Sequence, residues 1–189
     1  IVDADEVLCG DMLPRIREQV KSLPPGACMQ TPMRNLHRSL DMCSDDRSVW
    51  GRGAVTTVAF ADHPSLCWRT TRGYDHHHRE PHGSRPGVRM NGGCVMHLQF
   101  ADWRRLTAKH ALYKVIERIR WPEKSVAEID RLYNMALDES VCGVSQVPLE
   151  WWAPYLSYRH MVKIGETPWQ EGECARLVKQ HDPKFFRGL

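Results

Sequence analysis

The chain has 189 residues, 42% of them hydrophobic and 26% charged, with a formal net charge of +3. That length supports a core of domain size, the weak positive charge makes no electrostatic case for a nucleic-acid partner, and no apolar run approaches the roughly 20 residues of a membrane span. Seven cysteines, odd in number, widely spaced and without a C-x-x-C pair, argue against a disulfide framework or a structural zinc site and point to buried thiols in a reducing cytoplasm.

Ile1-Val2 runs into Asp3-Ala4-Asp5-Glu6 and returns to apolar at Val7-Leu8. This reads as the end of a buried strand carrying carboxylates at its C-terminal tip, where open α/β sheets bind ligands. Asp3 and Asp5 are two apart and are expected to point the same way along that strand. A strand needs a sheet around it, and the first residue is Ile rather than Met. The stretch is therefore expected to be a fragment whose upstream part supplies the rest of the sheet.

Asp11 is expected to cap a short helix with Pro14 in its first turn and Leu13, Ile16 and Val20 as its stripe. Leu23-Pro24-Pro25-Gly26 ends it. Residues 27–33 read as a weak strand and 35–52 as polar and irregular. The β-branched run at 54–61 is a strand, with 66–70 as the second arm of a hairpin. Residues 73–93, rich in Gly, Pro and His, are too long for an ordinary connector and read as a functional loop. Residues 94–100 alternate as an extended segment. Asp102 caps a helix to Arg120 whose apolar face is Ala108, Ala111, Leu112, Val115, Ile116 and Ile119. The Ser125…Glu128 pattern opens a second helix with stripe Val126, Ile129, Leu132, Tyr133, Ala136 and Leu137, and 170–180 is a last short helix. The organisation is a mixed α/β half at 1–101 followed by a helical region at 102–189.

Five groups could carry chemistry. Asp3 and Asp5 offer paired hard oxygens suited to Mg²⁺ or Mn²⁺. His97, between apolar Met96 and Leu98 and just after Gly92-Gly93, is a candidate third ligand. The loop Gly73–His82 holds four histidines, two acids and Arg79. It supplies Glu80 or Asp75 as a general base, with His77, His78 and Arg79 for polar groups of an acceptor. Arg105 and Lys109, one helical turn apart, can address one anion. Trp50 is one of seven tryptophans whose faces can stack on sugar rings.

Together I-V-D-A-D-E at 1–6, D-D-R-S-V-W at 45–50, H-H-H-R-E-P at 76–81, G-G-C-V-M-H-L-Q-F at 92–100, K-H-A-L-Y-K at 109–114 and W-P-E-K at 121–124 resemble a family-2 glycosyltransferase of the bacterial or phage type. The resemblance implies an α/β fold, the C-terminal part of a GT-A (Rossmann-like) domain beginning at the D-x-D motif. It implies transfer of a sugar from a nucleotide-sugar donor to a glycan or lipid-linked acceptor, with inversion and without a covalent intermediate. Asp5 would be a ligand of Mn²⁺ or Mg²⁺, Asp3 would contact the metal or the ribose, and His97 would be the later ligand. Arg105 and Lys109 would meet the diphosphate. Glu80, Asp46 or Asp75 would be the base, and Trp50, His77, His78 and Arg79 would line the acceptor site. A cytoplasmic location, peripheral to the inner membrane, follows from the same likeness. Two other classes stand beside it: a metal-dependent phosphoesterase or nuclease built on the His/Asp-rich loop, and a non-catalytic carbohydrate-binding module using the tryptophans.

Overall fold

A computed structural model describes residues 2–46, 55–68, 79–138, 140 and 142–189. Trp50, Asp75, His77 and His78 lie outside those residues, as do the side chains of Asp45 and Asp46. The fold class is mixed α/β, a curled mixed sheet with helices. The chain forms two units, one from Ile1–Arg34, Gly53–Leu98 and Val147–His160, the other from Asn35–Arg52, Gln99–Gln146 and Met161–Leu189. The sequence reading divides it once, at 101/102.

The first unit holds a five-stranded sheet. Strand β1 (Glu6–Leu8) pairs antiparallel with β6 (Val95–His97), and the order continues through β2 (Ala27–Asn35) to β4 (Val55–Phe60). Strand β5 (Arg85–Arg89) runs parallel to β2. Helix α1 (Leu13–Lys21) follows β1 through a single 3₁₀ turn. The core is rich in sulfur: Cys9, Met12, Cys28, Met29, Cys94 and Met96 are all sealed from solvent beside Val95. Unbranched, polarizable methionines suit the irregular gaps that a curled sheet leaves. The Cys94 N–H donates to Cys9 Sγ at 2.8 Å, and a side-chain hydrogen bond with Cys9, followed by burial, holds the Cys94 thiol far above its ordinary pKa. Among the described cysteines, Cys9, Cys28, Cys43 and Cys94 are buried and none is disulfide-bonded.

The second unit is built on α2 (Trp103–Arg120), which packs against α3 (Val126–Asn134) and α5 (Trp169–Gln180). Asp102 caps α2 by accepting from the Arg105 N–H at 3.0 Å and also takes the Gly165 N–H at 2.9 Å. Ser125 and Glu128 form both halves of a capping box on α3. A separate ladder joins β3 (Met42–Asp46) to β7 (Cys142–Gln146) antiparallel. Among the described residues no helix is long and apolar enough to cross a membrane.

Several expectations are corrected. The strand at the start follows the acidic run instead of preceding it. Val2 is exposed, Ala4 and Asp5 form a turn, and Glu6 is the first strand residue. Asp3 and Asp5 are therefore not alternate residues of one strand. Met12, not Asp11, stands at the N-cap of α1, because the 3₁₀ turn Gly10–Met12 takes Asp11 into its own backbone. Of the second hairpin arm expected at 66–70, residues 69 and 70 lie outside the described residues, and Cys67 instead forms an isolated bridge to His82. The loop at 73–93 contains β5, and the irregular stretch at 35–52 contains β3. On the helices, Ala111 and Leu132 are exposed, while the polar His110 and Glu117 are buried on α2.

Candidate functional site

The site of interest lies in the first unit, on the turn that enters β1. The turn closes on itself: Glu6 N–H donates to Asp3 O at 3.1 Å and Asp3 N–H donates to Glu6 Oε2 at 3.2 Å. The β1–β6 register sets Glu6 directly opposite His97, and Leu98 N–H donates to Asp5 O at 2.7 Å. The result is that His97 Nε2 stands 3.5 Å from Asp5 Oδ2. The imidazole is largely enclosed, at 16% exposure, and the carboxylate is open, at 44%. Just before β6, Gly93 has a φ of +78°, and a Cβ there would overlap the Met12 side chain, so glycine suits the point where the chain passes the 3₁₀ turn into β6.

Arg79 locks the turn from the other side. Its Nη1 donates to Glu6 Oε2 at 2.6 Å and to Thr56 Oγ1 at 2.8 Å. Its Nη2 donates to Asp3 Oδ2 at 2.6 Å and closes a short contact to Glu6 Oε1. The Glu6 side chain has no solvent exposure at all. A buried carboxylate without partners is costly, and the two-pronged guanidinium supplies it with hydrogen bonds and an opposite charge. The same pairing holds Arg79 more firmly protonated than usual, against the opposing effect of burial.

Glu80 is gripped separately. Its Oε1 accepts from Gln30 Nε2 at 3.0 Å and from Thr57 Oγ1 in a short bond. Thr56 and Thr57 are consecutive on β4, so their side chains leave opposite faces of the sheet. Arg79 and Glu80 are thus anchored on opposite faces, and Glu80 stands as a half-buried acceptor for β2 and β4.

The expected site residues separate into groups. Asp3, Asp5, Arg79 and His97 meet within the first unit, and Glu6 joins them as the residue that sequence reasoning left out of the site. Its signal in the sequence is that it is the last acid before the apolar pair Val7-Leu8, which puts it on the sheet and out of solvent. Arg79, expected to bind an acceptor, is committed to Glu6, Asp3 and Thr56. Arg105 and Lys109 belong to the second unit. There Arg105 is exposed on α2, and Lys109 Nζ donates to Gln99 Oε1 at 2.9 Å. Asp46 ends β3, its backbone opposite Cys142.

Among the described residues, Asp3 and Glu6 bond to the Arg79 guanidinium while Asp5 faces His97. Octahedral ions of the Mg²⁺ class keep ligands at about 2.1 Å, hence neighbouring ligand atoms about 3 Å apart. The Asp5–His97 pair is half an ångström wider than that, and its oxygen-plus-imidazole chemistry suits Mn²⁺. Such ions take one or two protein ligands with substrate phosphates and water, and need no closed cage. The pair fits that minimum. Among the described residues no three His, Cys, Asp or Glu groups converge as a ready-made metal cluster. Here the engagement of Asp3 with Arg79 is the visible reason.

No family model, no curated protein and no solved structure matches the chain.

Proposed function

We propose that the Asp5–His97 pair is the divalent-cation site of a glycosyltransferase of GT-A type, and that the chain transfers a sugar from a nucleotide-sugar donor to an acceptor hydroxyl. The observation that carries this reading is the pairing itself. An open carboxylate from a D-x-D turn faces an enclosed imidazole at 3.5 Å, across a strand ladder that fixes both backbones. The exposure of the Asp5 carboxylate supports it, because an ion can reach that oxygen while Glu6 is sealed beneath Arg79.

When bound, a divalent cation neutralises the charge that builds on a departing nucleoside diphosphate. In this reading Asp5 and His97 hold it and leave its remaining positions to phosphate oxygens and water. The backbone of His97 is fixed because β6 is pinned to β1 on both sides of it. Arg79 keeps the turn closed and leaves Asp5 facing the imidazole.

The test is Mn²⁺-dependent release of nucleoside diphosphate from a panel of sugar nucleotides, with acceptor mixtures supplied. Asp5→Ala and His97→Ala are each expected to abolish release and to remove a Mn²⁺-induced rise in melting temperature. At a cation concentration about 100 times Kd that rise corresponds to about 2.7 kcal/mol of added stability. Turnover or a thermal shift that survives both substitutions would overturn the reading.

A further inference from the structure

We propose that Arg79 is a positioning residue that removes Asp3 and Glu6 from the ligand set, so that the cation is held by Asp5 and His97 alone. The inference rests on the cation reading of that pair and adds to it a division of labour among the three acids of the turn.

The geometry is specific. Both terminal nitrogens of Arg79 are spent: Nη1 on Glu6 and Thr56, Nη2 on Asp3 and Glu6. Glu6 is sealed from solvent and cannot turn outward to meet an ion. Asp3 is 57% exposed and could turn, yet its Oδ2 lies 2.6 Å from the guanidinium while its own N–H is tied to Glu6. Only Asp5 is directed to His97. A planar fork can bridge two carboxylates at once, and a lysine ammonium, a compact point charge, cannot do so in the same geometry. Arg79 therefore acts as a resident cation. It satisfies the acid that must stay buried and the acid that would otherwise compete for the ion, and it makes Asp3 a member of the scaffold.

This predicts a pattern in cation affinity that fold stability alone would not produce. Mn²⁺ binding is measured on the full chain by titration calorimetry and by the electron paramagnetic resonance of the bound ion, on variants checked by thermal melt. Asp3→Asn, at an exposed carboxylate, is expected to fold and to bind Mn²⁺ within about threefold of the parent chain, as a remote surface charge would allow. Asp5→Asn and His97→Gln are expected to weaken binding by about tenfold or more. Arg79→Lys keeps a positive charge for Glu6 but frees Asp3. It is expected to tighten Mn²⁺ binding and to change the resonance of the bound ion, and the double variant Arg79→Lys/Asp3→Asn is expected to return both to parent values. If Asp3→Asn weakens binding as much as Asp5→Asn, or if Arg79→Lys leaves affinity and spectrum unchanged, the division of labour is wrong while the cation reading stands. If the parent chain binds no Mn²⁺, or Asp5→Asn has no effect, the cation reading fails and this inference fails with it.

Discussion

Two polar clusters, one in each unit, handle charge in opposite ways. In the second unit, between α2 and α3, Asp130 and Glu117 each meet a lysine. Lys114 Nζ meets Asp130 Oδ1 at 2.5 Å, and Lys124 meets Glu117, which also accepts from Tyr133 at 3.3 Å. His110 Nδ1 bonds the Tyr133 carbonyl oxygen at 2.7 Å. The Tyr133 hydroxyl, buried beside Glu117, is pushed up to about 12. At the turn into β1, Asp3 and Glu6 share Arg79, and the Asp5 carboxylate, 44% exposed, faces His97 at 3.5 Å. A balanced, closed cluster is what helix packing requires of buried polar groups. The exposed carboxylate at the turn can still be reached by an ion, and the proposed cation site builds on that difference.

The contrast can be broken most severely at Arg79. Arg79→Ala strands the Glu6 carboxylate inside the protein and is expected to cost about 3–5 kcal/mol, measured by urea unfolding. If the loss is below 1 kcal/mol, Glu6 is not the buried ion described. Glu117→Ala in the balanced cluster leaves Tyr133 and Lys124 without their acceptor and is expected to cost about 1–3 kcal/mol, with no effect on Mn²⁺ affinity. A change in that affinity would mean that the clusters are not independent. Ser125→Ala removes one half of the capping box on α3 and is expected to cost about 1 kcal/mol in the same assay. The smallest effect concerns protons. Burial is the main influence lowering the His110 pKa, and Lys109 and Lys114 add to it against the pull of the Tyr133 carbonyl. The unfolded chain then binds a proton at this site at a higher pH than the folded one. Its contribution to stability is full above the unfolded value near 6.5 and is lost as pH falls toward the lower folded value. Melting temperatures between pH 7.5 and 5 are expected to fall for the parent chain and to fall less for His110→Gln. Equal slopes would remove His110 from the account.

Much of this was legible in the residues. Asp102 and the Ser125…Glu128 pair announce α2 and α3, because caps act within one turn and depend on little else. The β-branched run at Val55–Phe60 announces β4 for a similar reason. Asp3, Asp5 and His97 could be picked out by ligand chemistry. What escaped depends on partners distant in the chain. Strand β3, with the sequence M-C-S-D-D, has no apolar alternation and exists because β7 pairs with it. Strand β5 contains Pro86 and Gly87 and is a strand only by virtue of β2. The burial of Glu6 and the commitment of Arg79 are one fact seen from two ends, and neither residue type signals it alone. The order of turn and strand at the start was misjudged because apolar Ile1-Val2 reads like strand. The sheet begins at Glu6, where β6 is available to pair.

The β1–β6 ladder also has a kinetic meaning. Glu6 and His97 face each other across roughly ninety residues of chain. Closing a loop of that length costs about 4 kcal/mol of chain entropy before any contact is made, and pairings of such long range form late in folding. No local segment can assemble Asp5 against His97 early. Acquisition of cation affinity during refolding would therefore serve as a clock for completion of the first unit, running behind the appearance of α2 and α3, whose contacts are closer in sequence.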